Sequence, residues 1–252
     1  MKKSLLIKAL LLIIVFLIAH YGRKVLSTVT PFAVEEPILK VLVYYLWWLV
    51  PSLLLVVFLF GSKNALEAIG LKKGFLTGLT FSLITVLPML LSSAILGKID
   101  TSLEPLALLQ KTLLAGVMEE YLFRGFLFGL LFLKFGWGFI PASILGAFIF
   151  GMGHIYQGNN LLESVGVFMI TSIGALWFAW LYVEWDNNLW VPIFLHLLMN
   201  LSWTLFDISD NAIGAPLANL FRIITIALTV VLTIRNSKKQ GFKVNRGNLL
   251  TN

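Results

Sequence analysis

The chain has 252 residues, of which 59% are hydrophobic and 12% charged, with a formal net charge of +7 and a mean hydropathy of +0.92. Soluble domains average ~45–50% apolar and ~25% charged, and on the same residue set this chain reaches roughly 65% apolar. A soluble globular enzyme is excluded for want of polar surface, and a disordered chain is excluded because disorder needs low hydrophobicity and high charge.

Taken in chain order, apolar runs long enough to cross about 30 Å of hydrocarbon fall at 4–20, 38–60, 75–97, 106–133, 138–155, 163–183, 188–206 and 216–235. The expected fold is all-α: a polytopic membrane bundle of about eight transmembrane helices, forming one integral-membrane domain over 1–252. The first run resembles a signal peptide, with Lys2 and Lys3 ahead of it, but it lacks a small-x-small cleavage site near Ala19–Tyr21 and continues into Arg23-Lys24. It reads as an uncleaved first span. Small residues four apart at Gly74/Gly78, Gly125/Gly129 and Ala147/Gly151 allow close helix packing. The basic tail, 236–252, is expected to be solvated at the inner surface, within reach of anionic lipid.

The Lys/Arg distribution sets the orientation. With both termini inside, the inner side holds Lys2, Lys3, Lys8, Lys63, Lys72, Lys73, Lys134, Arg235, Lys238, Lys239, Lys243 and Arg246. The outer side holds Arg23, Lys24, Lys40 and Lys98. That bias places both termini in the cytoplasm, in a membrane expected to be prokaryotic. The basic residues thus orient helices, and no nucleic-acid partner is expected. The chain has no cysteine, which removes disulfides and thiolate chemistry.

An ionisable group inside a span costs roughly 2.5–3.5 kcal/mol at the helix centre on insertion scales. Lys111 and Arg222 are expected to snorkel to the outer surface. The segment Met118-Glu119-Glu120-Tyr121-Leu122-Phe123-Arg124 cannot do so, because it lies in the middle of its span. Glu120 and Arg124 are i and i+4 and can form an ion pair on one face. Glu119 is rotated about 100° from Glu120 and needs another environment. Phe150-Gly151-Met152-Gly153-His154 closes the fifth run, and His196 and Asn200 share one face of the seventh. Asp186-Asn187-Asn188 precede that helix as caps, with Pro192 in its first turns. Two of only three histidines, both mid-span glutamates and a mid-span asparagine therefore sit on three apolar helices. One polar cavity is the simplest account of them.

These motifs resemble the CPBP family of intramembrane proteases, which includes the CAAX prenyl endopeptidases of the Rce type and many bacterial Abi proteins. The family pattern EExxxR, FxxxH, HxxxN/D reads here as Glu119-Glu120…Arg124, Phe150…His154 and His196…Asn200, within a motif-bearing core of about 106–206. The resemblance implies a membrane endopeptidase acting in the lipid bilayer on a membrane-associated protein or peptide substrate. Glu119 would be the catalytic carboxylate, with Glu120 and Arg124 in support and His154, His196 and Asn200 completing the site. By the same analogy the site would open to the cytosol.

Two chemistries fit these residues. In the favoured one, with no cofactor, Glu119 and His154 hold and deprotonate a water, and His196 and Asn200 donate to the developing oxyanion. In the other, Glu119, His154 and His196 hold a zinc ion and Glu120 acts as base. A bacteriocin-immunity or scaffold protein of the same fold is the alternative reading, and a proton-coupled transporter a more distant one. Straight helices pose a geometric problem: His154 lies roughly 24 Å along its span from the inner end and His196 only about 12 Å.

Overall fold

The computed structural model describes residues 3–29, 36–209 and 211–252. Eleven α-helical stretches make up the described chain: α1 Lys3–Val29, α2 Pro37–Phe60, α3 Ala65–Ala68, α4 Phe75–Leu96, α5 Pro105–Leu109, α6 Ala115–Glu119, α7 Leu130–Lys134, α8 Phe139–Met152, α9 Leu161–Glu184, α10 Trp190–Thr204 and α11 Pro216–Gln240. α5, α6 and α7 belong to one continuous helical rod, joined by π-wound turns at Gln110–Leu114 and Glu120–Gly129. Among the described residues there is no β-strand, only an isolated bridge between Trp137 and Thr251. A polytopic helical bundle is therefore the fold.

Among the described residues, six helices are long and apolar enough to cross a membrane: Lys3–Gly22, Pro37–Phe60, Phe75–Leu96, Phe139–Gln157, Leu161–Glu184 and Pro216–Gln240. Their outward faces carry Ile7, Leu54, Phe58, Ile84, Ile95 and Ile223 in exposed positions, as a lipid-facing belt requires. The runs 106–133 and 188–206 are helical too, but they differ from the other six. The rod carries Lys111, Glu119, Glu120 and Arg124, and α10 has only 15 residues. The rod is enclosed from Glu120 to Phe132, and no residue of α10 is exposed.

The rod stands at the centre of the bundle. α1, α2, α8 and the inner part of α9 bury its aromatic face around Phe16, Trp48, Phe123, Phe126 and Phe128. α4, α9 and α10 build a second cluster around Phe81, Met89, Phe178 and Leu195. Small residues bring these layers together. A Cβ on Gly78 would lie 2.6 Å from the Trp190 carbonyl carbon, and one on Gly116 would lie 3.0 Å from the Leu197 backbone nitrogen. Larger residues there would force α10 away from α4 and from the rod.

The turns 69–74 and 185–190 sink into the bundle and remove the depth mismatch between the histidines. Leu189 N–H donates to the Gly70 carbonyl, Trp190 Nε1 to the Leu71 carbonyl and Asn188 Nδ2 to the Gly74 carbonyl. The Leu189 side chain and the Ile69 carbonyl press on Gly125 of the rod, roughly 13 Å before the rod ends at Lys134. α10 therefore begins deep in the protein. His196, six residues further on, reaches the level of Glu120, five residues from Gly125. Of the three expected caps, Asn188 accepts from Trp190 N–H, whereas Asp186 and Asn187 take left-handed turn positions.

The C-terminal tail does not float free. Glu184, fully buried, accepts from Ser237 Oγ and from the backbone N–H groups of Lys243 and Val244. Further on, Ile140 N–H donates to the Leu249 carbonyl, Asn252 N–H to the Gly136 carbonyl and Asn252 Nδ2 to the Phe132 carbonyl. The tail is fastened through its backbone while most of its side chains stay exposed: a buried carboxylate and orphan carbonyls at the end of the rod need donors, and the tail supplies them.

Candidate active site

α8 runs antiparallel to the rod, with Gly146 against Leu127 and the Phe150 ring 5.1 Å from that of Phe123. Continuing this register by four residues sets His154 level with Glu119. α10 approaches from the other side, held by Gly116, and brings His196 and Asn200 to the same stretch of the rod. The three motifs meet because the rod touches both α8 and α10 at one height.

The adjacent glutamates have opposite surroundings. Glu120 is fully buried, and its Oε1 accepts from Arg124 Nη1 at 3.1 Å and from His196 Nδ1 at 2.7 Å. Arg124 is almost as buried, with its guanidinium 4.6 Å from the centroid of Phe150 and 5.4 Å from that of Phe178. The predicted ion pair is therefore present, completed by a histidine and roofed by two aromatic faces. The π-wound stretch begins at Glu120. Such i→i+5 turns are costly and concentrate at functional positions.

Glu119 points the other way. Its side chain keeps 21% of its surface, lines a cavity of about 900 Å³ and has no hydrogen bond among the described residues. His196 Nε2 lies 3.9 Å from Glu119 Oε2, beyond hydrogen-bonding distance. Since a carboxylate only accepts, the 2.7 Å contact to Glu120 fixes the His196 proton on Nδ1 and turns Nε2 to the cavity. The same holds for His154, whose Nδ1 donates to the Phe150 carbonyl at 2.7 Å, leaving Nε2 free. Asn200 uses one amide N–H on the Lys111 carbonyl at 2.8 Å and keeps the other N–H and its oxygen.

Glu119, Arg124, His154, His196 and Asn200 all line the cavity, and Glu120 stands behind it. Burial denies Glu120 the cavity access that a general base requires. Glu119, His154 and His196 are suitable zinc donors by type, but among the described residues no group of three His, Cys, Asp or Glu side chains converges as a metal-holding set.

Two residues acquire places that the sequence reading missed. Arg222 reaches back toward the connection before α11: it donates to the carbonyls of Ala212 and Ile213, contacts Asn219 Oδ1, lies 4.9 Å from the Trp203 ring centroid and lines the cavity. Its position inside a span was the available signal. His20, the third histidine, packs between Phe16, Tyr21, Trp48 and Phe123, within electrostatic reach of His154. Lys111 is exposed, as snorkelling requires, although it also lines the cavity.

Comparison with known proteins agrees with this arrangement. Residues 101–202 match the family model described as type II CAAX prenyl endopeptidase Rce1-like. Over 96 residues the chain is 34% identical to a Bacillus subtilis (strain 168) protein named "Putative membrane peptidase YdiL". The aligned part spans 38% of this chain and 35% of that relative. No solved structure gives a significant match. The segment that matches this family model bears all three motifs.

Proposed function

With this Rce1-like core as premise, we propose that the protein is an intramembrane endopeptidase that hydrolyses peptide bonds of membrane-associated protein substrates through a water activated by Glu119 and His154. One observation carries the reading: Glu119 is the carboxylate without a hydrogen-bond partner, set in a large cavity among imidazole nitrogens, while its neighbour Glu120 is locked away. A cavity of this volume is at the upper end of the ~300–1,000 Å³ of ligand pockets, room enough for a short extended peptide.

The chemistry follows from the free atoms. His154 Nε2 accepts a hydrogen bond from the water, and the Glu119 carboxylate removes a proton as the water oxygen attacks the scissile carbonyl carbon. The oxyanion then accepts from the unused amide N–H of Asn200 and from Nε2–H of protonated His196, whose Nδ1–H stays on Glu120. With both glutamates ionised, Arg124 and protonated His196 bring the four-residue group to zero net charge, which suits an apolar setting. On collapse, the C–N bond breaks and Glu119 returns the proton to the leaving amine nitrogen. Glu120 and Arg124 act by holding protonated His196 in this orientation.

The test is cleavage of a membrane-anchored reporter protein by the purified chain in proteoliposomes. Glu119→Gln and His154→Ala should insert and fold normally yet lose hydrolysis, and full activity in both would refute the proposal. Zinc analysis of active, chelator-washed protein separates the two chemistries. One tightly held zinc per active chain would overturn the metal-free mechanism.

A further inference from the structure

We infer that the cavity holding Glu119 is entered from the extracytoplasmic face, opposite the basic tail, so that its substrates are polypeptide segments of membrane-anchored proteins on that side. The inference rests on the proposed peptidase reading for the word substrate, but not for the location of the mouth. It also reverses the cytosolic opening that the resemblance to prenyl endopeptidases implied.

The cavity occupies one half of the bundle. Its walls come from Met89 on α4, Lys111 to Arg124 on the rod, the end of α8, Ile170 to Phe178 on α9, His196 to Thr204 on α10 and Asn219 to Ile226 on α11. Its rim includes Tyr156, Gln157, Ser209 and Asn211, in the connections that follow α8 and α10. Those two connections meet where Ala212 N–H donates to Gln157 Oε1. The turns at 61–74, 135–138 and 185–189 contribute nothing to the lining.

The opposite half is shut. From Tyr121 to Phe132 every residue of the rod is buried. The sunken turns press on Gly125, Tyr182 closes over Gly129 and the docked tail covers the end of the rod. A peptide has no route to Glu119 from that end.

Charge then assigns the two ends to sides of the membrane. The shut end carries Lys63, Lys72, Lys73, Lys134, Arg235, Lys238, Lys239, Lys243 and Arg246. The open end carries Arg23, Lys24, Lys40 and Lys98 beside Asp100, Glu104, Glu163 and Asp207, and the rim segments 153–160 and 205–215 carry no lysine or arginine. Short connections rich in Lys and Arg stay in the cytoplasm, so the mouth faces outward.

Because the chain has no cysteine, single-cysteine variants report side without background. In intact bacterial cells treated with a membrane-impermeant maleimide, Asn159→Cys at the rim and Thr171→Cys in the cavity should be labelled. Lys239→Cys at the shut end should be labelled only after permeabilisation. Labelling of Lys239→Cys in intact cells, or protection of Asn159→Cys until lysis, overturns the orientation. Protection of Thr171→Cys from outside, with labelling in inverted vesicles, overturns the mouth. Labelling needs no hydrolysis, so an inactive wild type with the expected pattern would reject the peptidase reading and leave the mouth in place.

Discussion

Glu119 and Glu120 are covalent neighbours on one helix, yet they belong to opposite halves of the bundle. The half toward the rim of the cavity is open, lined by mixed polar and aromatic side chains and almost free of basic residues in its connections. The half toward the tail is packed on every side of the rod and capped by sunken turns and a docked C-terminus. The open half keeps one carboxylate without a hydrogen-bond partner among the described residues, facing the cavity. The closed half fully satisfies one oxygen of the other and uses it to orient His196. A hydrolytic site inside a membrane needs both: a wet cavity for the reacting water and a rigid, dry support that fixes the tautomer and angle of each imidazole.

Substitutions on the two sides of this boundary should therefore fail differently. The largest effect is on chemistry without stability. Glu119→Gln should lower hydrolysis by about 10²–10⁴-fold, the usual range for a general base, while the thermal unfolding midpoint in detergent stays put. A large fall in that midpoint would show that Glu119 belongs to the packed half. Next comes stability. Arg124→Ala leaves Glu120 as an uncompensated buried charge and should cost about 3–5 kcal/mol, seen as a lowered midpoint or failure to accumulate in the membrane. Equal tolerance of Arg124→Ala and Glu119→Ala would dissolve the distinction.

A smaller effect is expected where the tail is fastened. Glu184→Ala removes the acceptor for Ser237, Lys243 and Val244 and should cost about 1–3 kcal/mol. Limited trypsin digestion should then cut faster at Lys243 and Arg246 than in the parent chain, with hydrolysis of the reporter retained. The smallest effect is expected for Tyr121→Phe. It deletes the bond in which Tyr121 Oη donates to Ser52 Oγ at 2.8 Å, itself donating to the Trp48 carbonyl. One net hydrogen bond, about 0.5–1.5 kcal/mol, should appear in the unfolding midpoint with activity unchanged.

Local periodicity made much of the site legible. Glu120 with Arg124 and His196 with Asn200 could be paired from their spacing alone, because four residues bring a helical side chain back to the same face. The divergence of Glu119 from Glu120 was equally readable, since one residue of rotation sends neighbours to different surroundings. Not readable was which of the two faces the cavity, because both surroundings are built by other helices. The bonds from Leu189, Asn188 and Trp190 to the 70–74 turn had no local signature, and straight helices consequently misplaced His196 in depth. Arg222 stood out as a charge within a span, but its inward turn depends on carbonyls of the preceding loop.

By itself, then, the sequence determined the class and singled out the candidate residues. Scarce charge in a long apolar chain requires a membrane bundle, and the few ionisable groups placed mid-span mark where polar work is done, because each is too costly there to be incidental. Only the tertiary structure decided which glutamate meets the cavity, which half of the bundle is closed and where the tail is held. Those outcomes rest on contacts between residues far apart in the chain, such as Leu189 with Gly125 and Asn252 with Phe132. No periodicity along the chain encodes contacts of that kind.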